Sequence, residues 1–470
     1  MTKSRVTSAK PARLMANSLS TTDILGVSLA DTAPAMSFFF SFAVIAGAAG
    51  VASPLAIIVA AIAILLKINS LAEFTKVSPS PGSYISYIGK TFGPIPGVMT
   101  AWALGFGYIV AVGYVMAVMG GWTTLMIKQF LHVTVPWEPI TIIFVAGVSY
   151  LVYRGVKISA RWAMASFAFE LLLILVSIVA MLVSQASHIN FASFQPGLVK
   201  NGLSGMGLAF PLAIFMFIGV GNPGAMVEET RDARKAVPKA IYTATIFVAV
   251  LYVFMAWATS VAFHNQASTI ASQAVPFVTA ASRALGPFSI LVYLAGLTST
   301  FSSLLGATTS QTRIIFSAGR EGLLPFGLGR VSRFGTPSMA LTIYSVFALV
   351  MTLIWASHGG ALTMAGEMGA LGTIPIALVY LVLNVALPVY YWRHHKKIFS
   401  AWRHLIIPGL GIAFLILPLW GLIQPGQPSP FNLFPWIILA VLVLGLIYAM
   451  IRQRQIPDLR ERVGSIVADE

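Results

Sequence analysis

Ala30-Asp31-Thr32-Ala33-Pro34-Ala35 interrupts the first long apolar run of this chain, and Gly219-Val220-Gly221-Asn222-Pro223-Gly224 interrupts the sixth. Each stretch joins a proline, which lacks the N–H of the helical ladder, to small residues that let the backbone turn. Inside a bilayer such a break exposes peptide groups, and that is tolerable only where they line a cavity that something else fills. Paired breaks in corresponding spans point to a transporter's binding site. The plainer alternative is that Pro34 and Pro223 only kink packed helices.

The chain has 470 residues, 57% hydrophobic and 9% charged, with a mean hydropathy of +0.86. That composition belongs to an integral membrane protein. Apolar runs of the length needed to span a bilayer, about 18 residues or more, fall at 23–50, 52–74, 94–127, 138–153, 162–184, 204–228, 239–263, 287–317, 339–357, 364–391, 404–424 and 432–452. The pattern predicts an all-α membrane protein of twelve spans with both termini on one side. Basic residues mark the cytoplasmic side. They gather in the N-terminus (Lys3, Arg5, Lys10, Arg13), the second loop with the helix end before it (Lys67, Lys76, Lys90), the fourth, sixth and tenth loops, the eighth loop (Arg313, Arg320, Arg330, Arg333) and the C-terminus. Of the 29 basic residues only Lys128, Lys200 and Arg283 fall elsewhere. The expected location is the inner (cytoplasmic) membrane, with both termini cytoplasmic.

The net charge of +15 is spread over seven segments beside apolar helices, so anionic membrane lipid is the expected surface partner and nucleic acid is not. Absence of cysteine removes disulfides and thiolate catalysis. No phosphate loop, HExxH helix or nucleophile elbow occurs, so the expectation is no enzyme and no cofactor, with a proton or sodium gradient as the energy source. Ser18 to Asp23 offer helix N-caps before a run too long for a cleaved leader. The expected organisation is a tail (1–22), a transport core (23–391), two added helices (392–452) and a second tail (453–470). Five spans separate the breaks; an odd number per unit inserts the second unit upside down, predicting inverted repeats at 23–184 and 204–391.

Phe217-Ile218-Gly219-Val220-Gly221, followed by Glu228-Glu229-Thr230-Arg231-Asp232 and on through Pro238-Lys239-Ala240, resembles the F-x-G-[FY]-E and E-E-x-[RK]-[ND]-P signature of the amino acid–polyamine–organocation (APC) permeases. Ser80-Pro81-Gly82-Ser83-Tyr84 with Phe92-Gly93-Pro94, Gly155 to Arg161, and Gly319-Arg320-Glu321-Gly322-Leu323-Leu324-Pro325 agree with further motifs of that family, in the same order. The resemblance covers roughly residues 20 to 390. It implies a leucine-transporter-like 5+5 inverted repeat with spans 1 and 6 broken, plus two helices. Two features depart from the family pattern: Asp31-Thr32-Ala33-Pro34 stands where a Gly-x-Gly turn is usual, and Gly221 replaces the acidic end of the sixth-span motif.

At a break, the second half-helix presents unpaired amides and the first presents carbonyls, so a zwitterion would fit with its carboxylate on one and its ammonium on the other. The amides from Ala33 to Ser37 are the carboxylate candidates, and the carbonyls of Phe217, Ile218 and Gly219 the ammonium candidates. Substrate-binding candidates are therefore Asp31, Thr32, Ala33, Pro34, Ala35, Ser37, Ile218, Gly219, Gly221 and Asn222, with Tyr108, Phe215 and Phe217 for side-chain specificity or as ordinary packing. A carboxylate at the depth of Asp31 costs about 3 kcal/mol or more, which makes it a functional candidate by default; it pairs with a substrate ammonium, carries a coupling cation, or caps the second half-helix. Glu170 falls in the fifth span where the resemblance implies a coupling position between spans 1, 5 and 8. It is a candidate proton carrier, sodium ligand or interhelical hydrogen-bonding group.

In the eighth span the hydroxyls Thr298, Ser299, Thr300, Ser302, Ser303, Thr308, Thr309 and Ser310 suit close helix packing; Ser302 and Ser303 are also candidate sodium ligands. Glu228 and Glu229 are expected to pair with Arg231, Arg234 and Lys235, a network to which the resemblance gives a gating role. Glu367 is expected at an outer vestibule, and His394 and His395 at the lipid surface. These features predict a secondary active transporter of an amino acid or related organic amine, working by alternating access as a monomer or homodimer. Proton symport leads; exchange and sodium symport are alternatives, and a channel would need a continuous pore.

Overall fold

The computed structural model describes Leu14 and residues 16–467. Lys3, Arg5, Lys10 and Arg13 of the expected N-terminal tail, and residues 468–470 of the other tail, lie outside the described residues. The first apolar run folds as two helices, α1 (Thr21–Asp31) and α2 (Pro34–Ala49). Ser20 starts α1 with a capping box: Ser20 Oγ accepts the Asp23 amide, and Asp23 Oδ2 accepts the Ser20 amide at 2.9 Å. Pro34 takes the first position of α2, where its missing N–H breaks no ladder bond.

There follow α3 (Ser53–Val77), α4 (Tyr84–Phe92), α5 (Pro94–Leu131), α6 (Trp137–Arg154) and α7 (Val156–Ser184), with Gly155 at φ 142° turning the chain between the last two. The sixth run is α8 (Gly202–Phe215), an irregular stretch, and a 3-10 segment, Asn222–Glu229. Beyond it lie α9 (Ala233–Ala262), the short α10 (Ala267–Ala271) and α11 (Pro276–Leu285), α12 (Ile290–Arg320), α13 (Ser338–Ala356), α14 (Ala361–His394), α15 (Ile407–Ile423), α16 (Phe434–Gln455) and α17 (Leu459–Arg462).

The chain is thus an all-α membrane protein. Among the described residues, ten helical stretches are long and apolar enough to cross a membrane. The other two expected runs are α6, whose 18 residues carry Glu138 and Arg154 near their ends, and the broken sixth run, whose longest piece is the 14-residue α8. Long helices pack in pairs, α5 along α14, α7 along α12 and α3 along α9, while α1 lies among α7, α9 and α12. Its break is therefore wrapped by protein. The first and last described stretches meet the same end of the bundle, where the Leu14 amide donates to Glu228 and the Gly464 amide to Glu321.

Two basic residues grouped with loops in the sequence are interior. Lys67 is the fifteenth residue of α3, which runs on to Val77, and is 2% exposed; Arg313 lies inside α12 and is fully buried.

Candidate functional site

Ala33 adopts φ 47°, ψ 63°, a left-handed conformation that costs a non-glycine residue about 1 kcal/mol and must be held by its surroundings. Proline leaves α2 without its first N–H, and the next amides all have acceptors. Ala35 donates to Glu170 Oε1 at 2.8 Å, Met36 to Ser299 Oγ at 3.2 Å, and Ser37 to the Ala33 carbonyl at 2.9 Å. The Ala33 amide donates to the Ala30 carbonyl. The amides expected to receive a carboxylate are thus engaged by the protein itself.

Glu170, fully buried on α7, also accepts from Ser302 Oγ at 3.3 Å. It stands between the first, fifth and eighth spans and caps α2; complete burial excludes snorkelling.

The second break faces the first. After Phe215 the chain turns through Gly219, at φ +104°, where a Cβ would lie 2.8 Å from the Asp31 carbonyl oxygen and 3.0 Å from Asp31 Oδ1. Gly306 of α12 approaches from another side, and a Cβ there would lie 2.8 Å from the Asp31 nitrogen. Small residues at these two points let three spans converge on one aspartate. Asp31 Oδ2 accepts from Asn222 Nδ2 and from Ser310 Oγ, each at 3.0 Å, while Ser303 Oγ donates to the Asp31 carbonyl at 3.3 Å. The Asp31 side chain does not cap α2; it ties the first span to both the sixth and the eighth. Among the described residues, Oδ1 accepts no hydrogen bond.

A cavity of about 60 Å³ opens at this junction. Asp31, Thr32, Ala33, Ser37, Phe215, Ile218, Gly219 and Ser303 line it, as do Tyr114, Gln311, Gly369 and Thr373, which the sequence did not single out. A larger cavity of about 570 Å³ adjoins it, sharing Tyr114, Phe215, Gly369 and Thr373 and reaching Phe40, Val44, Gln424 and Gln427. Tyr114 and Phe215 meet edge to face, 5.8 Å between centroids, where the two cavities join.

The remaining candidates stand behind the wall. Tyr108 donates to Asn222 Oδ1 at 3.3 Å, Phe217 packs on Tyr252, Gly221 lies against Tyr84 and Leu71, and Pro34 and Ala35 are buried in the break. Glu367 lines a different cavity, between α13 and α14, where it accepts from Trp355 Nε1 at 2.9 Å. Lys67, expected among the cytoplasmic basic residues, lies in the interior instead: its ammonium donates to Tyr84 Oη at 3.4 Å and sits 3.4 Å from the Tyr380 ring centroid.

Toward the end of the bundle where Leu14 and Gly464 lie, Glu229 binds Arg313 through two nitrogens and Glu228 binds Arg320 in the same way. These arginines come from α12, not from the Arg231–Lys235 segment; Lys235 reaches Asp232 instead, at 3.5 Å. Glu229 and Arg313 are fully buried, so neither can be left alone without a large electrostatic cost. Just past α12, burial pushes the Glu321 carboxyl up to about 7, opposed by the Gly464 amide and Lys90.

Two helices broken face to face around a buried aspartate, in an all-helical membrane bundle, define the class of broken-helix membrane proteins. The amino acid permease family model matches residues 18–443, and the chain belongs to that family, in agreement with its APC-like motifs. It is similar to the branched-chain amino acid permease BcaP of Bacillus subtilis (25% identical over 433 residues, 85% of this chain and 86% of that one). It is also similar to the low-affinity putrescine importer PlaP of Escherichia coli (22% over 433 residues, 88% of each). The D-serine/D-alanine/glycine transporter of Escherichia coli is 26% identical over 310 residues, 62% of this chain and 63% of that one.

Proposed function

We propose that this protein is a secondary active transporter that moves an amino acid or related organic amine across the cytoplasmic membrane by alternating access. The observation that carries it is the convergence of both helix breaks on Asp31, whose Oδ1 is left without a donor among the described residues, beside a cavity. The named relatives are permeases of amino acids and of putrescine, which supports the substrate range.

Twelve spans, inverted repeats at 23–184 and 204–391 and cytoplasmic termini complete the reading. Asp31, Ser37, Phe215, Ile218 and Gly219 contact substrate, and the Glu228–Arg320 and Glu229–Arg313 pairs hold the cytoplasmic side closed. Coupling is to protons through Glu170. Both of its oxygens accept hydrogen bonds from protein N–H or O–H groups, an arrangement that suits a group gaining and losing a proton better than one sharing its oxygens with sodium. Proteoliposomes loaded at one pH and diluted into another test this: accumulation should follow the pH gradient and be indifferent to sodium. Uptake requiring sodium, or flux without saturation, contradicts it.

A further inference from the structure

Resting on the transport role proposed above, we infer that the preferred substrate is an organic amine without an α-carboxylate, its ammonium on Asp31 and its carbon body directed past Tyr114 and Phe215. The charge lining the two cavities is one-sided. No lysine, arginine or histidine lines either one among the described residues, while the smaller holds the Asp31 carboxylate.

Its hydroxyl protons are already engaged by backbone carbonyls: Thr32 donates to Ser28, Ser37 to Thr32, Ser303 to Asp31 and Thr373 to Gly369. The amides of Ala35 and Met36 are held by Glu170 and Ser299. Among the described residues, the side-chain donors left at the small cavity are the Tyr114 hydroxyl, which has no partner, and the Gln311 amide, whose oxygen accepts from Tyr344. Among the described residues the acceptors left are Asp31 Oδ1 and the Ile218 carbonyl, and the one neutral backbone donor left beside them is the Gly219 amide. Lys67 supplies no counter-charge, since its ammonium is turned to Tyr84 and Tyr380 outside the lining.

A monocation neutralises such a site. A zwitterion brings a second carboxylate into a low-dielectric space beside Asp31, with no cation to answer it. The small cavity holds an ammonium head and a few waters, and the larger one receives the rest of the molecule.

The test compares matched pairs on the wild-type protein in proteoliposomes: isoamylamine with leucine, phenethylamine with phenylalanine, putrescine with ornithine, and leucine methyl ester as a carboxyl-blocked control. In at least one pair the amine should bind at least tenfold tighter than its parent acid, and the ester should behave as the amine does. Asp31→Asn should lose amine binding tenfold or more. If in no pair the amine binds tenfold tighter than its parent acid, while uptake of either is saturable, the inference is overturned and the transport role stands. If neither set moves saturably, the transport role falls and the inference with it.

Discussion

Glu170 Oε1 accepts the Ala35 amide across a 2.8 Å gap, joining the fifth span to the start of the second half of the first. Because Pro34 has no N–H, this is the first amide α2 can offer, so one acid both caps a half-helix and joins the first span to the fifth and, through Ser302, the eighth.

Glu170→Gln keeps an acceptor for that amide but cannot give up a proton. It should change stability by under about 1 kcal/mol and abolish uptake driven by a pH gradient, with substrate exchange retained. Glu170→Ala leaves buried amides without a partner and should lower stability by about 1–2 kcal/mol. Thermal unfolding in detergent and uptake at matched and opposed pH separate the two effects. A Gln variant that still follows the gradient would rule out Glu170 as the carrier.

Asp31→Asn leaves an amide oxygen to accept from Asn222 and Ser310, so the break should persist and the melting temperature should stay within a few degrees. Binding and uptake should fall to background, since the charge facing the cavity is gone. Wild-type uptake in this variant contradicts the site.

Arg313→Ala strands the Glu229 carboxylate in the interior and should destabilise by about 3–5 kcal/mol. Pairing Glu229→Gln with Arg313→Met should recover much of that loss. Unfolding midpoints of the two singles and the double decide it; equal losses that simply add would show the pair to be uncoupled.

The breaks were legible because proline and glycine act locally: Pro34 and Gly219 need no knowledge of neighbours to interrupt a helix. The hydroxyls of α12 were read as suiting close packing; the stripe Ser299, Ser303, Gly306 and Ser310, at spacings of four, three and four, is the face that meets the first-span break. Ser302 and Ser303 drew notice for their hydroxyls, whereas Gly306 and Ser310 gain meaning only from that stripe. Tyr114, Gln311 and Thr373 were not legible, because lining a cavity depends on how each span is rotated against its partners. Apolar spans give almost no periodic signal for that rotation. For the same reason Glu228 and Glu229 were matched with charges near in sequence, when their partners come from α12, 92 and 84 positions on.

Gly306→Ala places a Cβ 2.8 Å from the Asp31 backbone nitrogen, which cannot move without carrying the break with it. Transport should be lost and stability lowered. Gly105→Ala, in α5 with nothing within 4 Å of its Cβ, should raise stability by about 0.5–1 kcal/mol. Parallel uptake and melting curves test the contrast, and equal behaviour of the two variants refutes the close approach.

Glu321 Oε2 accepts the Gly464 amide at 2.9 Å while Ser80 Oγ donates to the Ile466 carbonyl, and Val463 fits against Gly89 and Gly97, seating the C-terminal segment on α4 and α5. Burial lifts the Glu321 carboxyl from 4.5 to about 7, against the pull of Lys90 and Arg320. Folded, with the C-terminal segment packed over it, Glu321 therefore holds a proton that the unfolded chain releases. Its contribution, on the order of 3 kcal/mol at most, is full below about pH 4.5, declines as pH rises and is gone above about pH 7. Hydrogen exchange at residues 459–466 should quicken over that interval beyond the intrinsic pH effect, and Glu321→Gln should remove the excess. A flat protection profile across the interval in the wild type would show that Glu321 does not govern the docking.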